Sequence, residues 1–100
     1  MSITFSTSGS KLTINTPERF DFGSHKEFRS AIDAINASNI NHACIDMRMT
    51  GYVDSSALGM LLMLKNKMGN SKEAVSLINT RPEVKKILDI ANFGQLFSLS

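Results

Sequence analysis

Asp54, Ser55 and Ser56 set one carboxylate and two hydroxyls in succession, just before an apolar run that opens Ala57-Leu58-Gly59. Upstream, Ala43-Cys44-Ile45-Asp46-Met47 fits a short strand buried on both faces, and Leu58 to Met68 is long, apolar and free of proline, as a helix would be. The serines therefore fall near the N-cap of that helix. The first amides of a helix have no partner within it, and the aligned peptide dipoles place partial positive charge there. A phosphate on either hydroxyl would meet favourable local electrostatics. Ser and Asp are also the commonest N-caps, so plain capping accounts for the same residues. Local chemistry leaves both readings open and does not separate Ser55 from Ser56.

Other chemistries are poorly supplied. Hydrolysis needs a nucleophile, a base and an orienting acid. His25 lies in a helix-capping segment and His42 opens the buried strand, and neither has the setting of a catalytic histidine. No G-x-S-x-G elbow surrounds the serines, and no glycine-rich phosphate loop leads into Lys and Ser or Thr. Two histidines and one cysteine match no familiar metal site. Cys44 reads as a small buried hydrophobe, and a disulfide within the chain is impossible. The formal charge of +2 comes from 11 basic and 9 acidic residues scattered along the chain, with no basic aromatic stripe for nucleic acid. Lys65, Lys67, Lys85 and Lys86 read as solvated helix positions. The longest mainly apolar segment, Ala57 to Leu64, is too short to span a bilayer, and Met1 to Ser6 lacks the features of a signal peptide. The expectation is a cytoplasmic protein that is not an enzyme, takes no metal or cofactor, and binds neither nucleic acid nor membrane.

With 42% apolar content in 100 residues, residues 1–100 are expected to form one domain with a modest core. Ile3 to Ser6 and Leu12 to Asn15 alternate apolar and polar residues around Ser8-Gly9-Ser10, which predicts a hairpin at the sheet edge with one solvated face. Ser24 and Glu27 have capping-box spacing, followed by a core stripe of Phe28, Ala31, Ile32 and Ile35. Asn36 to Asn41 break that pattern. After the second helix, Gly69-Asn70-Ser71 is a stop signal and Ala74 to Ile78 a further strand. Thr80 to Glu83 repeats the capping box, with Val84, Ile87, Leu88 and Ala91 on one face of a third helix. Leu96 to Leu99 makes a last short strand or an apolar tail. Alternating strands and helices predict an α/β fold, a mixed and mostly parallel sheet of four to five strands with helices packed on it.

Asp54-Ser55-Ser56-Ala57-Leu58-Gly59, preceded by Gly51-Tyr52-Val53, resembles the phosphorylation-site signature of STAS domains, the family of anti-sigma factor antagonists. That pattern reads D-S-[ST]-G-[LM]-G. The resemblance makes Ser55 the phosphoacceptor, Ser56 its neighbour and Gly59 the glycine of the first turn, while Ala57 replaces a glycine and stiffens that turn. Phe20-Asp21-Phe22 stands where the family carries an acidic residue before its first helix, so Asp21 joins Asp54, Ala57 and Gly59 around the phosphosite. An Asp that merely turns the chain before Gly23 is the plainer alternative. The resemblance runs over nearly the whole chain and is strongest to stand-alone bacterial members.

It implies a partner-switching regulator, whose unmodified form binds an anti-sigma factor or serine kinase with a HATPase-type fold, or another target. Phosphorylation would switch that interaction and a PP2C-like serine phosphatase would reverse it. A sigma factor or other downstream regulator is the implied output, in pathways of the kind that control biofilm formation or motility. A constitutive interaction scaffold and a small-ligand-sensing module are the alternatives.

The second helix adds a surface. Leu58, Leu61, Leu62 and Lys65 share one face, whereas Met60, Met63 and Leu64 point largely elsewhere. Either neighbouring helices cover these side chains, since methionine also fills core gaps, or part of them stays exposed; for Met60, Met63 and Leu64 as a group the expectation is an exposed apolar patch beside the serine, suited to an adaptable partner contact.

Overall fold

The computed structural model describes residues 3–38, 40–69 and 74–99. Asn39, Asn70 and Ser71, in the expected helix-one exit and helix-two stop, lie outside them. A hairpin of β1 (Thr4–Ser8) and β2 (Lys11–Asn15) turns at Gly9, whose φ of +61° suits a residue without a side chain. Strands β3 (Arg19–Phe20), β4 (His42–Asp46), β5 (Tyr52–Val53), β6 (Val75–Ile78) and β7 (Ser98–Leu99) follow, with helices α1 (His25–Ser38), α2 (Ser55–Lys67) and α3 (Pro82–Ile90) between them. The main sheet has the order β1-β2-β4-β6-β7, antiparallel only at the hairpin. The expected mixed, mostly parallel α/β architecture is therefore observed, with β1 at an edge.

Alternation along the strands places the core. Leu12 pairs with Ala43 and Ala43 with Val75, and Ile14 pairs with Ile45 and Ile45 with Leu77, all fully buried on one face of the sheet. Phe28, Ala31, Ile32 and Ile35 of α1, Ala57, Met60, Leu61 and Leu64 of α2, and Val84 and Leu88 of α3 join them in one cluster. As expected, β4 is buried on both faces, Ala43 and Ile45 on one and Cys44 and Asp46 on the other. Cys44 stands between Thr13 and Ser76 in the register, so its cross-strand neighbours on that second face are polar.

Both expected capping boxes are replaced. Asp21, not Ser24, caps the turn entering α1, its Oδ1 accepting from Gly23 N at 3.0 Å, while Glu27 accepts from the Ile3 amide at 3.2 Å. Arg81 is the N-cap of α3 and makes no side-chain cap bond. Pro at the first turn suffices there, because the ring sets a helical φ and its missing amide costs nothing. Lys65, expected in solvent, is buried because it falls on the same stripe as Ala57, Leu61 and Leu64. No helix among the described residues is long and apolar enough to cross a membrane.

Candidate functional site

The site is built where two segments distant in sequence run side by side. β3 and β5 form a separate parallel ladder, Arg19 against Tyr52 and Phe20 against Val53. The Gly51 amide donates to the Glu18 carbonyl at 3.0 Å, and the Asp54 amide to the Phe20 carbonyl at 3.4 Å. Continuing that register sets Asp21 opposite Asp54, at the point where α2 begins. Of the residues expected around the phosphosite, Asp21 and Asp54 are thus brought together by backbone pairing.

The loop leading to β5 is pinned from inside. The Thr50 hydroxyl, fully buried, donates to the Pro17 carbonyl at 2.7 Å and lies 2.6 Å from the hydroxyl of buried Thr16. Asp46, at the end of β4, accepts from the Arg48 amide at 3.1 Å, from Arg48 Nε at 3.2 Å and from Asn79 Nδ2 at 3.2 Å. Asn79 reaches it from a left-handed backbone, φ 56°, which asparagine tolerates. Burial pushes the Asp46 carboxyl up, but those donors and the Arg48 charge outweigh it and hold it below the usual carboxylate range. The nearby Cys44 thiol is pushed up by burial, with Lys11 opposing and Asp46 reinforcing the shift, which disfavours the reactive thiolate.

Asp54 is the N-cap of α2, with extended backbone and a carboxylate that accepts from the Ala57 amide at 2.8 Å. Ser55 is the first helical residue and is exposed, and Ser56 is half-buried. The helical step of about 100° per residue, from 3.6 residues per turn, sends the two hydroxyls in different directions. Ser56 lines an open groove of about 230 Å³ with Phe22, His25, Gly59, Met60 and Met63, whereas Ser55 stands outside it. The methyl of Ala57 is wholly buried and faces the core. A side chain on Gly59 would meet nothing within 4 Å, so the space over that glycine is open to solvent.

The expected apolar patch is only partly present. Met63 is exposed, but Met60 and Leu64 are 2% and 0% exposed and belong to the core. The buried stripe of α2 runs through Ala57, Met60, Leu61, Leu64 and Lys65, so of the expected face of Leu58, Leu61, Leu62 and Lys65, Leu61 and Lys65 are buried, Leu58 is half-buried and Leu62 is exposed. Met60 remains as the floor of the groove. Its outer wall comes from residues that sequence reasoning does not single out. Phe22 is 68% exposed and stacks on His25 with centroids 5.5 Å apart. An apolar ring left in solvent beside a cap is the signal that could have marked it. Arg19 is also unanticipated. Its guanidinium lies 4.5 Å from the Tyr52 ring centroid, and its Nε lies 3.5 Å from Asp21 Oδ2. Among the described residues no three His, Cys, Asp or Glu side chains gather as metal ligands.

A mixed sheet with helices packed on it, and a helix that opens on an acid-capped pair of serines, defines the class of fold to which the chain belongs. The chain belongs to the STAS domain family, whose model it matches over residues 2–100. It is 47% identical over 95 residues to a STAS-domain containing protein of Pseudomonas aeruginosa, covering 95% of this chain and 93% of that one. Among solved structures it resembles the anti-sigma factor antagonist SpoIIAA in its unphosphorylated form, with 16% identity, a TM-score of 0.77, and 99% of this chain and 87% of that one covered. The Bacillus cell fate determinant SpoIIAA in the phosphorylated form gives 14%, 0.75, and 99% and 91%. An anti-sigma factor antagonist from Mycobacterium paratuberculosis gives 20%, 0.79, and 98% and 85%. At these identities the structural likeness establishes the fold.

Proposed function

We propose that this chain is a phosphorylation-controlled partner switch, an anti-sigma factor antagonist-like regulator without catalytic activity of its own. In its unmodified form it binds a HATPase-type serine kinase of the anti-sigma kind, or another target, and phosphorylation of Ser55 switches that interaction. The observation that carries this reading is the exposure of Ser55 at the first position of α2, beside a groove walled by exposed Phe22 and Met63. A kinase can reach this hydroxyl without unfolding the helix. The existence of SpoIIAA, a protein of the same fold, in both phosphorylated and unphosphorylated forms supports the same reading.

The physical effect of the modification follows from its charge. A phosphate adds about 1.5 to 2 negative charges and three strong acceptor oxygens. The helix terminus accommodates that charge in the free protein. Within an interface that also covers Phe22 and Met63 it brings desolvation cost and repulsion from any facing carboxylate. Each 1.4 kcal/mol of that penalty, by the relation of affinity to free energy, weakens binding about tenfold. A PP2C-like serine phosphatase restores the unmodified form. The output is a sigma factor or other downstream regulator in the cytoplasm, governing biofilm formation or motility.

The test replaces the chromosomal copy by Ser55→Ala or Ser55→Asp and measures biofilm mass and swimming. The two substitutions are expected to shift the output in opposite directions. Identical behaviour of both variants and the parent would overturn the switch and make the chain a constitutive scaffold.

A further inference from the structure

The segment that pairs with the serine-bearing one carries a cation that the phosphorylation motif does not include. Arg19 pairs with Tyr52, stacks on its ring at 4.5 Å, and touches Asp21 at 3.5 Å. Period-two alternation sends Phe20 and Val53 into the core, both nearly or fully buried, and Arg19, Asp21, Tyr52 and Asp54 to the opposite side. Those four side chains form a ledge that ends at Ser55. The ledge holds two carboxylates and one guanidinium. Asp54 is engaged by the Ala57 amide and Asp21 by the Gly23 amide. Arg19 is held loosely, since its side chain is 68% exposed and its contact with Asp21 is at 3.5 Å, beyond a good charge-assisted bond.

We propose that Arg19 is the intramolecular receiver of a phosphoryl group on Ser55. Phosphorylation gathers the phosphate, Asp54 and Asp21 at adjacent positions, and Arg19 is the cation paired with Asp21 there. A phosphate offers three acceptor oxygens and up to two charges against the single oxygen of Asp21 that Arg19 now meets, and the planar fork of arginine binds such a group bidentately. Arg19 Nε already lies at the level of Asp21, which continues the register opposite Asp54, and Ser55 is the next residue. On modification the guanidinium leaves the Tyr52 ring and the Asp21 carboxylate for the phosphate. The partner-facing surface is thereby rewritten twice, by a new anion at Ser55 and by an uncovered Tyr52 ring, with no change of backbone. This inference rests on Ser55 being the phosphoacceptor.

The test uses the full chain with phosphoserine genetically encoded at position 55 or at position 56, so no kinase is needed. Tyr52 is the sole tyrosine, and contacts between its ring protons and the Arg19 side chain can be read by NMR, together with the Arg19 Nε–Hε resonance. Phosphoserine at 55 is expected to move that resonance downfield and abolish the Arg19–Tyr52 contacts, whereas phosphoserine at 56, which faces the groove, leaves both as in the unmodified chain. Arg19→Gln, at an exposed position, is expected to lower the melting temperature of the phosphoserine-55 protein by several degrees more than that of the unmodified one. Persistence of the Arg19–Tyr52 contacts in the phosphoserine-55 protein would overturn the proposal, and so would an equal response to phosphoserine at 56. A chain never phosphorylated on Ser55 in its own cells would instead overturn the reading beneath it, a result the encoded phosphoserine experiment does not depend on.

Discussion

One bond from the Asp54 carboxylate to the Ala57 amide decides where α2 begins, and so where Ser55 stands. Removing it leaves a first-turn donor without its cap, and Asp54→Ala is expected to cost about 1 kcal/mol of stability in urea denaturation, the usual loss for an acidic N-cap. Asp46 acts from further back. Its folded pKa lies below its unfolded value, so its contribution is complete above about pH 3.9, the ordinary carboxylate value, and is lost as the pH falls through the folded pKa. Asp46→Asn should therefore be less stable than the parent at pH 7, and the difference in melting temperature should shrink on acidification below pH 4. A gap that stays constant with pH would show that the carboxylate charge is not what holds Arg48 and Asn79. At this scale the capped helix start is legible in the sequence because Asp54 to Gly59 form one unbroken run. Arg19 and Phe22 are not, because they reach the site only through a β3–β5 ladder of two residues a strand, too short to leave a periodic trace.

The elements carry a sharper lesson in α2. Leu58, Leu62 and Leu64 are chemically alike, and which of them is buried depends on the rotational frame of the helix. That frame turns Ala57 toward the core, and the same stripe takes in Met60 and Leu64 and leaves Leu62 and Met63 outside. Leu64→Ala is expected to cost about 2 to 5 kcal/mol through the cavity it opens in the core. Met63→Ala should change stability by less than about 0.5 kcal/mol, as an exposed substitution does, and weaken partner binding instead. Gly59→Ala separates the two effects further. The new methyl meets nothing inside the molecule and should stabilise the helix by about 0.5 to 1 kcal/mol, while obstructing a partner that approaches over the groove. Unfolding and binding measurements on the same variants check all three. The capping boxes at Ser24 and Thr80 show the converse limit of sequence reading. Spacing alone suits both, but the tertiary structure turns Glu27 toward the Ile3 amide and leaves Arg81 as the cap of α3.

Across the whole molecule, the strand and helix order was legible because each long element carries its own period. The polar second face of the sheet was not, since Cys44 and Asp46 sit in an apolar run and only the cross-strand partners Thr13 and Ser76 reveal their surroundings. The sheet and all three helices share one hydrophobic cluster, so unfolding should be cooperative. Far-ultraviolet dichroism and the emission of Tyr52, which reports on the site, should give coincident urea transitions, and an earlier transition at Tyr52 would mark the site as a separately opening unit. The fold sets a pair of serines at a helix start, and modification of Ser55 in the cell is the point on which the proposed function turns. The decisive measurement is intact-mass and fragment-ion analysis of the protein isolated from its own cells, in growth and in stationary phase, beside Ser55→Ala and Ser56→Ala variants. The expected result is one added phosphate that disappears only in Ser55→Ala. Unmodified protein under both conditions, or a phosphate lost only in Ser56→Ala, would contradict it.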